Sequence, residues 1–333
     1  MLNRRTTLAG AAAAMASATT ARAQGDAPAL LVMEKNAGTL GFLDPESGRR
    51  LGEVALAEYP HEFVVDPQSR LAFVGHYGVE TSAATAEGGH AVLVVDLRER
   101  KIAHRIDIAP FNRPHGMAID ARGRLSVLSE GRNTLLTFDE PAEARQPSIA
   151  VAAGGIKTHL FALTRDGERA YVTGLLSNTA SLVRPRDAAI APVTVTTGRM
   201  PEGLCLSPDE RTLYVANRRS GTVAAIAADS MRVTETRPVS GDPLRLYALP
   251  DGRLLLADLE RARMVLLGPR LEEIAAIPLD AKPSAASLHP SRPLAFVSLA
   301  NDRIALLDLE THRIEGHFAT RAGADVTRLV TPG

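Results

Sequence analysis

The chain has 333 residues, of which 45% are hydrophobic and only 4% are aromatic, and it contains no tryptophan. This length is enough for one large domain with a substantial core, and the absence of tryptophan argues against propellers built on the Trp-Asp repeat. Lysine plus arginine and aspartate plus glutamate both number 38, so the chain has no net positive field that would attract nucleic acid.

Cofactor motifs are scarce. Cys205 is the single cysteine, which excludes an intrachain disulfide, a thiolate zinc cluster and the C-x-x-C-H attachment of haem. The glycine-rich fingerprints of phosphate and dinucleotide binding do not occur, nor does the Gly-x-Ser-x-Gly turn of serine hydrolases. We therefore expect no haem, no nucleotide and no flavin.

The first segment reads as an export signal. Arg4 and Arg5 are followed by Leu8, a short alanine-rich apolar run and the small-residue site Ala21-Arg-Ala23. A charged start, a short apolar stretch and an A-x-A site are typical of a secretory signal, and the adjacent arginines resemble the twin-arginine (Tat) signal. We predict a signal peptide over 1–23, one mature domain over 24–333, and a periplasmic or secreted location. No later segment has the roughly 18 apolar residues that a membrane span needs.

An internal repeat determines the expected fold. Seven similar stretches recur at intervals of 40 to 54 residues, and they are Pro60–Pro67, Pro114–Ala121, Thr158–Arg165, Pro201–Pro208, Pro243–Pro250, Pro283–Pro290 and Asp325–Pro332. Each begins a unit with four short β-rich runs separated by turn residues, which is typical of a propeller blade rather than of a βαβ unit. The sequence therefore predicts an all-β, seven-bladed propeller.

One blade is expected to be shared by the two ends of the chain. The N-terminal part supplies only three predicted strands, at about Ala29–Glu34, Thr39–Asp44 and Arg50–Ala57. The C-terminal run Val326–Thr331 has the pattern of the missing innermost strand. Pairing of the two ends would leave no blade with an open inner edge.

The repeat resembles that of a known family. Leu213-Tyr-Val-Ala-Asn217, followed by Ser220-Gly-Thr-Val223, is similar to the YVTN repeat of seven-bladed bacterial β-propellers, as is the pattern of Pro201–Arg211. The resemblance covers essentially the whole mature chain. It implies the fold and says little about function, because such propellers include binding proteins, lactonases, lyases and oxidoreductase subunits.

The start of each inner strand and the end of the second strand lie on the same face of a propeller, because successive strands alternate in direction. In chain order, the residue after the first position of each repeat is His61, His115, His159, Glu202, Leu244, Ser284 and Val326. The next position is usually small but holds Glu62 and Arg245 in two repeats, and such departures from a pattern are expected at functional sites.

Further polar residues are predicted on the same face. The second strands end at Glu34, His76, Glu130, Asn217 and Asp258, and the first complete repeat carries about ten extra residues in the loop 75–90. A long loop in a compact repeat is usually functional or disordered. The channel mouth on this face is therefore the predicted site.

Three imidazoles and a carboxylate suit one divalent metal ion such as Zn²⁺, Cu²⁺, Ni²⁺ or Fe²⁺. We predict His61, His115, His159 and Glu202 as its ligands, and a ligand-binding set that consists of Glu62, Arg245, His76, Glu130 and Asn217. Two alternatives stay open at this point: a metal-free ligand pocket, or side chains that hydrogen-bond one another and plug the axis.

The sequence thus predicts an exported, monomeric YVTN-type propeller that binds a metal ion or a small polar or anionic ligand. A metal-dependent enzyme of lactonase or lyase type is the alternative, and a scaffold for a periplasmic protein partner is the second. Whether the protein is an enzyme is left open.

Overall fold

The computed structural model describes residues 27–331, and the predicted signal peptide at 1–23 lies outside them. Within this range the chain forms 28 strands and no helix. The strands make seven antiparallel sheets of four strands each, arranged as the blades of a ring. The predicted all-β, seven-bladed fold is confirmed.

The strands follow the chain with little irregular structure between them. Those of the first part are β1 (Ala29–Glu34), β2 (Thr39–Leu43), β3 (Arg50–Ala55), β4 (Pro60–Val65), β5 (Leu71–His76), β6 (Ala91–Asp96), β7 (Lys101–Asp107), β8 (Pro114–Ile119), β9 (Leu125–Ser129), β10 (Thr134–Phe138), β11 (Ile149–Ala152), β12 (Thr158–Leu163), β13 (Ala170–Gly174), β14 (Thr179–Val183) and β15 (Val193–Thr196). Those of the second part are β16 (Pro201–Leu206), β17 (Thr212–Asn217), β18 (Thr222–Ala227), β19 (Arg232–Pro238), β20 (Pro243–Ala248), β21 (Leu254–Asp258), β22 (Arg263–Leu267), β23 (Glu273–Pro278), β24 (Pro283–Leu288), β25 (Leu294–Leu299), β26 (Arg303–Asp308), β27 (Arg313–Ala319) and β28 (Ala324–Val330).

Blade 1 joins the two ends of the described chain. Its order is β28-β1-β2-β3, whereas blades 2 to 7 each take four consecutive strands. Strand β28 pairs antiparallel with β1, with Ala29 opposite Val330 and Leu31 opposite Arg328. This confirms the predicted shared blade, which leaves no inner edge unpaired at the point of closure.

The register of β28 corrects one prediction. Ala324 lies opposite Glu34, as Pro60 lies opposite His76 in blade 2. The residue equivalent to His61 is therefore Asp325, and the assignment of Val326 to that position was wrong. The last repeat has no proline at its start, so the sequence pattern alone aligned it one residue too late.

The core lies between neighbouring blades rather than inside any one of them. Because successive side chains of a strand point to opposite faces, Leu31 of β1 packs toward Val74 of blade 2, and Leu30 packs toward Phe296 of blade 7. Aliphatic side chains dominate these layers, in agreement with the low aromatic content. The inner strands are thereby held in a closed ring with their first residues at one mouth.

Candidate functional site

Five ionisable side chains occupy the same position in five successive inner strands. In ring order from blade 1 to blade 7, the second residues of these strands are Asp325, His61, His115, His159, Glu202, Leu244 and Ser284. The ring centroids of His61 and His115 are 4.4 Å apart, and those of His115 and His159 are 3.7 Å apart. Residues that are 54 and 44 positions apart in the sequence are thus in contact at the channel mouth.

A second ring of mouth residues follows the second strand of each blade. All of its members except Tyr77 share one backbone geometry, in which the N–H bonds to the carbonyl oxygen of the residue before the inner strand: that of Glu130 bonds to Arg113 O, that of Arg218 to Met200 O, and that of Ala300 to Lys282 O. The complete ring, again from blade 1 to blade 7, is Lys35, Tyr77, Glu130, Leu175, Arg218, Leu259 and Ala300. The equivalent position in the sequence lies one residue after Glu34, His76, Asn217 and Asp258.

This offset of one residue separates Glu130 from the other predicted strand-end residues. The last residue of β9 is Ser129, so Glu130 belongs to the mouth ring, whereas His76 and Asn217 end their strands. Because side chains alternate along a strand, a shift of one residue turns a side chain to the other side. The predicted strand-end residues included both kinds, and only Glu130 reaches the histidines.

His159 lies between two carboxylates. Its Nδ1 is 2.7 Å from Glu130 Oε2, and its Nε2 is 3.5 Å from Glu202 Oε1. Burial favours the neutral imidazole, but the hydrogen bonds and charges of Glu130 and Glu202 outweigh it and raise the pKa of His159. The surroundings of His159 therefore favour its protonated form.

Glu130 is buried and has four polar partners. Tyr77 Oη donates to Glu130 Oε1 at 2.9 Å, Arg113 donates to the same oxygen at 3.3 Å, and Lys157 Nζ lies 4.0 Å from it. Burial raises the pKa of this carboxyl, yet the contacts with His159 and Tyr77 lower it overall. These contacts hold the ionised carboxylate in one orientation.

Glu202 is tied to a second cluster of charges. Arg218 donates to Glu202 Oε2 at 2.8 Å and also bonds to both oxygens of Asp242. Burial opposes ionisation of Glu202, but His159 and Arg218 lower its pKa to about 2. Arg218 was not among the predicted site residues, and its guanidinium bridges the carboxylates of Glu202 and Asp242.

His61 has an acidic neighbour on its other side. Its Nδ1 lies 2.7 Å from Asp325 Oδ2, and both side chains are about nine-tenths buried. Burial raises the pKa of Asp325, and the charge of His61 lowers it overall. Asp325 is thus a site residue that the sequence analysis missed because its strand was aligned one position too late.

His115, between His61 and His159, is the most deeply buried of the three. Its side chain is 1% exposed, and Nδ1 has no hydrogen-bond partner among the described residues. Burial and the nearby positive charges of His159, His61 and Arg245 hold the pKa of His115 well below its usual value. A neutral imidazole with a free, buried nitrogen is a ready metal ligand.

Two overlapping groups of side chains have ligand atoms close enough to share an ion. They are His61, Glu62 and His115, and His115, Glu130 and His159, with all donor atoms of a group within 4.8 Å of one another. The structure therefore brings together the three predicted histidines. Glu202 belongs to neither group, and its nearest approach to them is the contact with His159.

The remaining predicted ligand-binding residues lie in different places. Arg245 donates to Glu62 at 2.8 Å across the channel, while its Nε is buried without a partner among the described residues. The amide of Asn217 is bonded to Thr197, which follows the last strand of blade 4, and to Thr222 of its own blade.

His76 lies apart from the histidine cluster. Burial is the main cause that lowers its pKa, and its charged neighbours are Arg105, His90 and Glu58. The structure therefore does not bring His76 or Asn217 to the three histidines, and any ligand-binding role for these two residues stays a prediction.

The extra residues of blade 2 form a cover loop over the histidines, which we define as residues 77–90. Arg113 of blade 3 donates to the backbone oxygens of Ala84, Ala86 and Glu87, and Lys157 of blade 4 donates to Ser82 O. Arg113 and Lys157 have positive φ angles of 50° and 55°, which is uncommon for residues other than glycine. The two cations that hold Glu130 therefore also hold the cover loop.

Two cavities follow the axis. The larger, of about 620 Å³, runs between the inner strands and includes Cys205, whose pKa burial raises to about 12. The smaller, the mouth pocket, has a volume of about 260 Å³ and is lined by His61, His159, Glu202, Leu244, Arg245, Leu259, Lys282, Pro283, Ser284, Ala300 and Asp325. Arg245 borders both cavities and, with Glu62, separates them.

Neither a protein-family model nor a curated protein sequence matches the chain. Three solved structures are similar to it. They are the periplasmic gluconolactonase PpgL of Pseudomonas aeruginosa (16% identity over 92% of this chain and 99% of that one, TM-score 0.74), the hydrazine synthase of Kuenenia stuttgartiensis (16%, 82% and 95%, 0.67), and the dihydro-heme d1 dehydrogenase NirN in complex with DHE (16%, 93% and 67%, 0.65).

At this level of identity the similarity establishes the propeller fold alone. No helix in the described part of the chain is long and apolar enough to cross a membrane.

Proposed function

We propose that this protein is an exported propeller that binds a divalent transition-metal ion at the mouth of its axis and a small polar ligand in the adjoining pocket. The observation that carries the proposal is the buried Nδ1 of His115, which lacks a partner among the described residues although it stands between two groups of metal-ligand side chains. A buried polar atom without a partner is costly, and an ion at this position would satisfy it.

We propose His115, Glu130 and His159 as the principal ligands. Imidazole and carboxylate donors suit zinc and its neighbours in the first transition series. Tyr77 and Arg113 already bond to Glu130, which is the role that residues behind metal ligands play in orienting them. His61 and Glu62 form the other group that includes His115, whereas Glu202, which bonds to Arg218, belongs to neither group.

Binding of an ion requires that His159 give up its proton. Glu130 and Glu202 raise the pKa of His159, so the ion and the proton compete for the same imidazole. We therefore expect the affinity for Zn²⁺ to fall as the pH falls through the raised pKa of His159.

Calorimetric titration of chelator-treated protein with Zn²⁺ tests the metal site. The wild type should bind one ion. His115→Ala removes a ligand and should weaken that binding at least about 100-fold, since loss of a residue that only orients a ligand already costs about 10–100-fold. His289→Ala is the control, because His289 lies at the opposite end of its blade and bonds to the backbone of Ser291 and Arg292. Equal Zn²⁺ binding by all three proteins would contradict the proposal.

Export is supported by Arg4-Arg5 and the Ala21-Arg-Ala23 site, and one structure of the same fold is that of a periplasmic enzyme. The mature protein should begin at or near Gln24, as determined by mass analysis of the exported form. Replacement of Arg4-Arg5 by Lys-Lys should leave the precursor in the cytoplasm. Recovery of Arg4-Arg5 in exported protein would show that the segment is not cleaved.

A metal-dependent lactonase is the second candidate function. The mouth pocket lies directly beside His61 and His159, and the gluconolactonase PpgL has the same fold. A metal ion beside an open pocket would polarise a carbonyl group of a bound ester. Release of acid from D-glucono-1,5-lactone, followed at constant pH with and without a chelator, tests this activity; hydrolysis that survives chelation would count against it.

A further inference from the structure

The mouth of the propeller is polar on one side and apolar on the other. In blades 1 to 5 the two mouth rings carry polar side chains except at Leu175, and several of them bond to one another, such as His159 with Glu130 and Glu202 with Arg218. In blades 6 and 7 the same ring positions are Leu244, Leu259, Ser284 and Ala300. These shorter or apolar side chains leave a gap in the ring, and the mouth pocket of about 260 Å³ fills that gap.

Two cationic side chains at this pocket have N–H donors that are free to bind a ligand. Arg245 uses one terminal nitrogen for Glu62, while its Nε is buried without a partner among the described residues. Lys282 is exposed at the rim, and no carboxylate within residues 27–331 lies within ion-pair distance of it. The two carboxylates that line the pocket are already engaged, Glu202 by Arg218 and Asp325 by His61.

We propose that the mouth pocket binds a small carboxylate with a compact apolar body. Its carboxylate faces Arg245 and Lys282, because guanidinium and ammonium groups are the donors that bind such an anion most strongly. Its apolar body packs against Leu244, Leu259 and Ala300. The inference rests on the proposed function only in naming the ligand of that pocket, and the contacts that carry it do not involve the metal ion.

The size of the pocket restricts the ligand. Sites for drug-sized molecules measure about 300–1,000 Å³, so a cavity of about 260 Å³ suits a single ring or a short branched chain. A ligand of this kind would also occupy the gap in the mouth ring and contact His61 and His159.

Three probes with one shared body test the charge of the ligand. Calorimetric titration of chelator-treated protein with benzoate, benzylamine and benzyl alcohol compares an anion, a cation and a neutral molecule of nearly the same shape. We expect benzoate to bind at least tenfold more tightly than either of the others. Tighter binding of benzylamine would mean that Glu202 and Asp325 select a cation, which would overturn the inference. Equal binding of all three probes, or binding of none, would also overturn it.

Two variants test the position. Ala300→Leu should fill the pocket and weaken benzoate binding at least tenfold, and Lys282→Gln should weaken it severalfold. Ala189→Leu, an equally exposed alanine in the loop between β14 and β15, is the matched control and should bind benzoate as the wild type does. Unchanged binding in Ala300→Leu would overturn the proposed position.

A Zn²⁺ titration of the same proteins separates this inference from the proposed function. Normal Zn²⁺ binding without benzoate binding would contradict the ligand class and leave the metal site standing. Normal benzoate binding without Zn²⁺ binding would contradict the metal site and leave the ligand class of the mouth pocket standing.

Discussion

Three histidines at one position of the repeat have three different environments. His159 bonds to Glu130, His61 lies against Asp325, and His115 has neither contact. The difference arises from the neighbouring residues rather than from the strands, since the backbone repeats from blade to blade. Chemically distinct roles can thus be assigned to residues that the repeat places in equivalent positions.

In metal-free protein, His115 and His159 should change the stability of the fold with pH in opposite directions. The raised pKa of His159 means that it stabilises the fold below about pH 6.5 and that this contribution is lost as the pH rises through its folded-state pKa. The lowered pKa of His115 has the opposite effect: the fold loses stability as the pH falls below about 6.5, because only the unfolded state takes up the proton.

NMR of histidine-labelled protein measures both values. The ring signals of His159 should move at a pH above that of an unstructured histidine, and those of His115 should not move while the protein stays folded. His312→Gln, which removes a turn residue far from the mouth, would help to assign the spectrum. Titration of His115 near pH 6.5 would contradict the proposed environment.

Which site residues the sequence could predict depended on the register. The prolines at the start of their repeats aligned His61 and His115 correctly, and the similar pattern of Thr158–Arg165 aligned His159. Asp325 was missed because its repeat was started at Asp325 instead of Ala324, and Tyr77 and Arg218 were missed because the strand ends were read one residue early. Since side chains alternate with a period of two, an error of one residue exchanges mouth-facing and outward-facing positions.

The cover loop is the element that distinguishes blade 2 from the other blades. It reaches over blade 3 to Lys157 of blade 4, and its first residue, Tyr77, bonds to Glu130. The sequence predicted an unusual loop on the correct face from its length. Its course across two blades could not be predicted, because it depends on the backbone oxygens that Arg113 and Lys157 bind.

Arg113→Ala should loosen the cover loop without disturbing the ring. The change removes donors from three backbone oxygens and from Glu130, at an expected cost of about 1–3 kcal/mol in the free energy of unfolding. Amide hydrogen exchange in residues 77–90 should become faster, and Zn²⁺ uptake should become faster as well, because His115 and Glu130 are more accessible.

The control for this variant is Arg122→Ala, which removes an exposed arginine from the turn between β8 and β9. It should leave exchange and uptake unchanged. Wild-type exchange of the loop in Arg113→Ala would show that Asn112, which also donates to Glu87 O, and the other contacts are sufficient.

At the scale of the whole molecule, the fold depends on closure of the ring. Strand β28 contributes Val330 to the core between blades 1 and 2 and Leu329 to that between blades 7 and 1. It also carries Asp325 into the mouth. The last strand is therefore part of both the core and the candidate site.

Deletion of residues 325–333 should destabilise the entire domain. The loss of two apolar side chains from the core and the exposure of the inner edge of β1 should cost about 4 kcal/mol or more. Thermal unfolding should show a lower midpoint, and size-exclusion chromatography should show association through the open edge. A truncated protein that stays monomeric and unfolds at the wild-type temperature would contradict the role assigned to β28.

The central claim is that the mouth of this propeller is a metal site, and X-ray diffraction from crystals soaked in Zn²⁺, recorded on both sides of the zinc absorption edge, tests it most directly. The account predicts one anomalous peak about 2.0–2.2 Å from nitrogen atoms of His115 and His159 and an oxygen of Glu130. Peaks only at histidines outside the mouth, with His159 still bonded to Glu130, would contradict it.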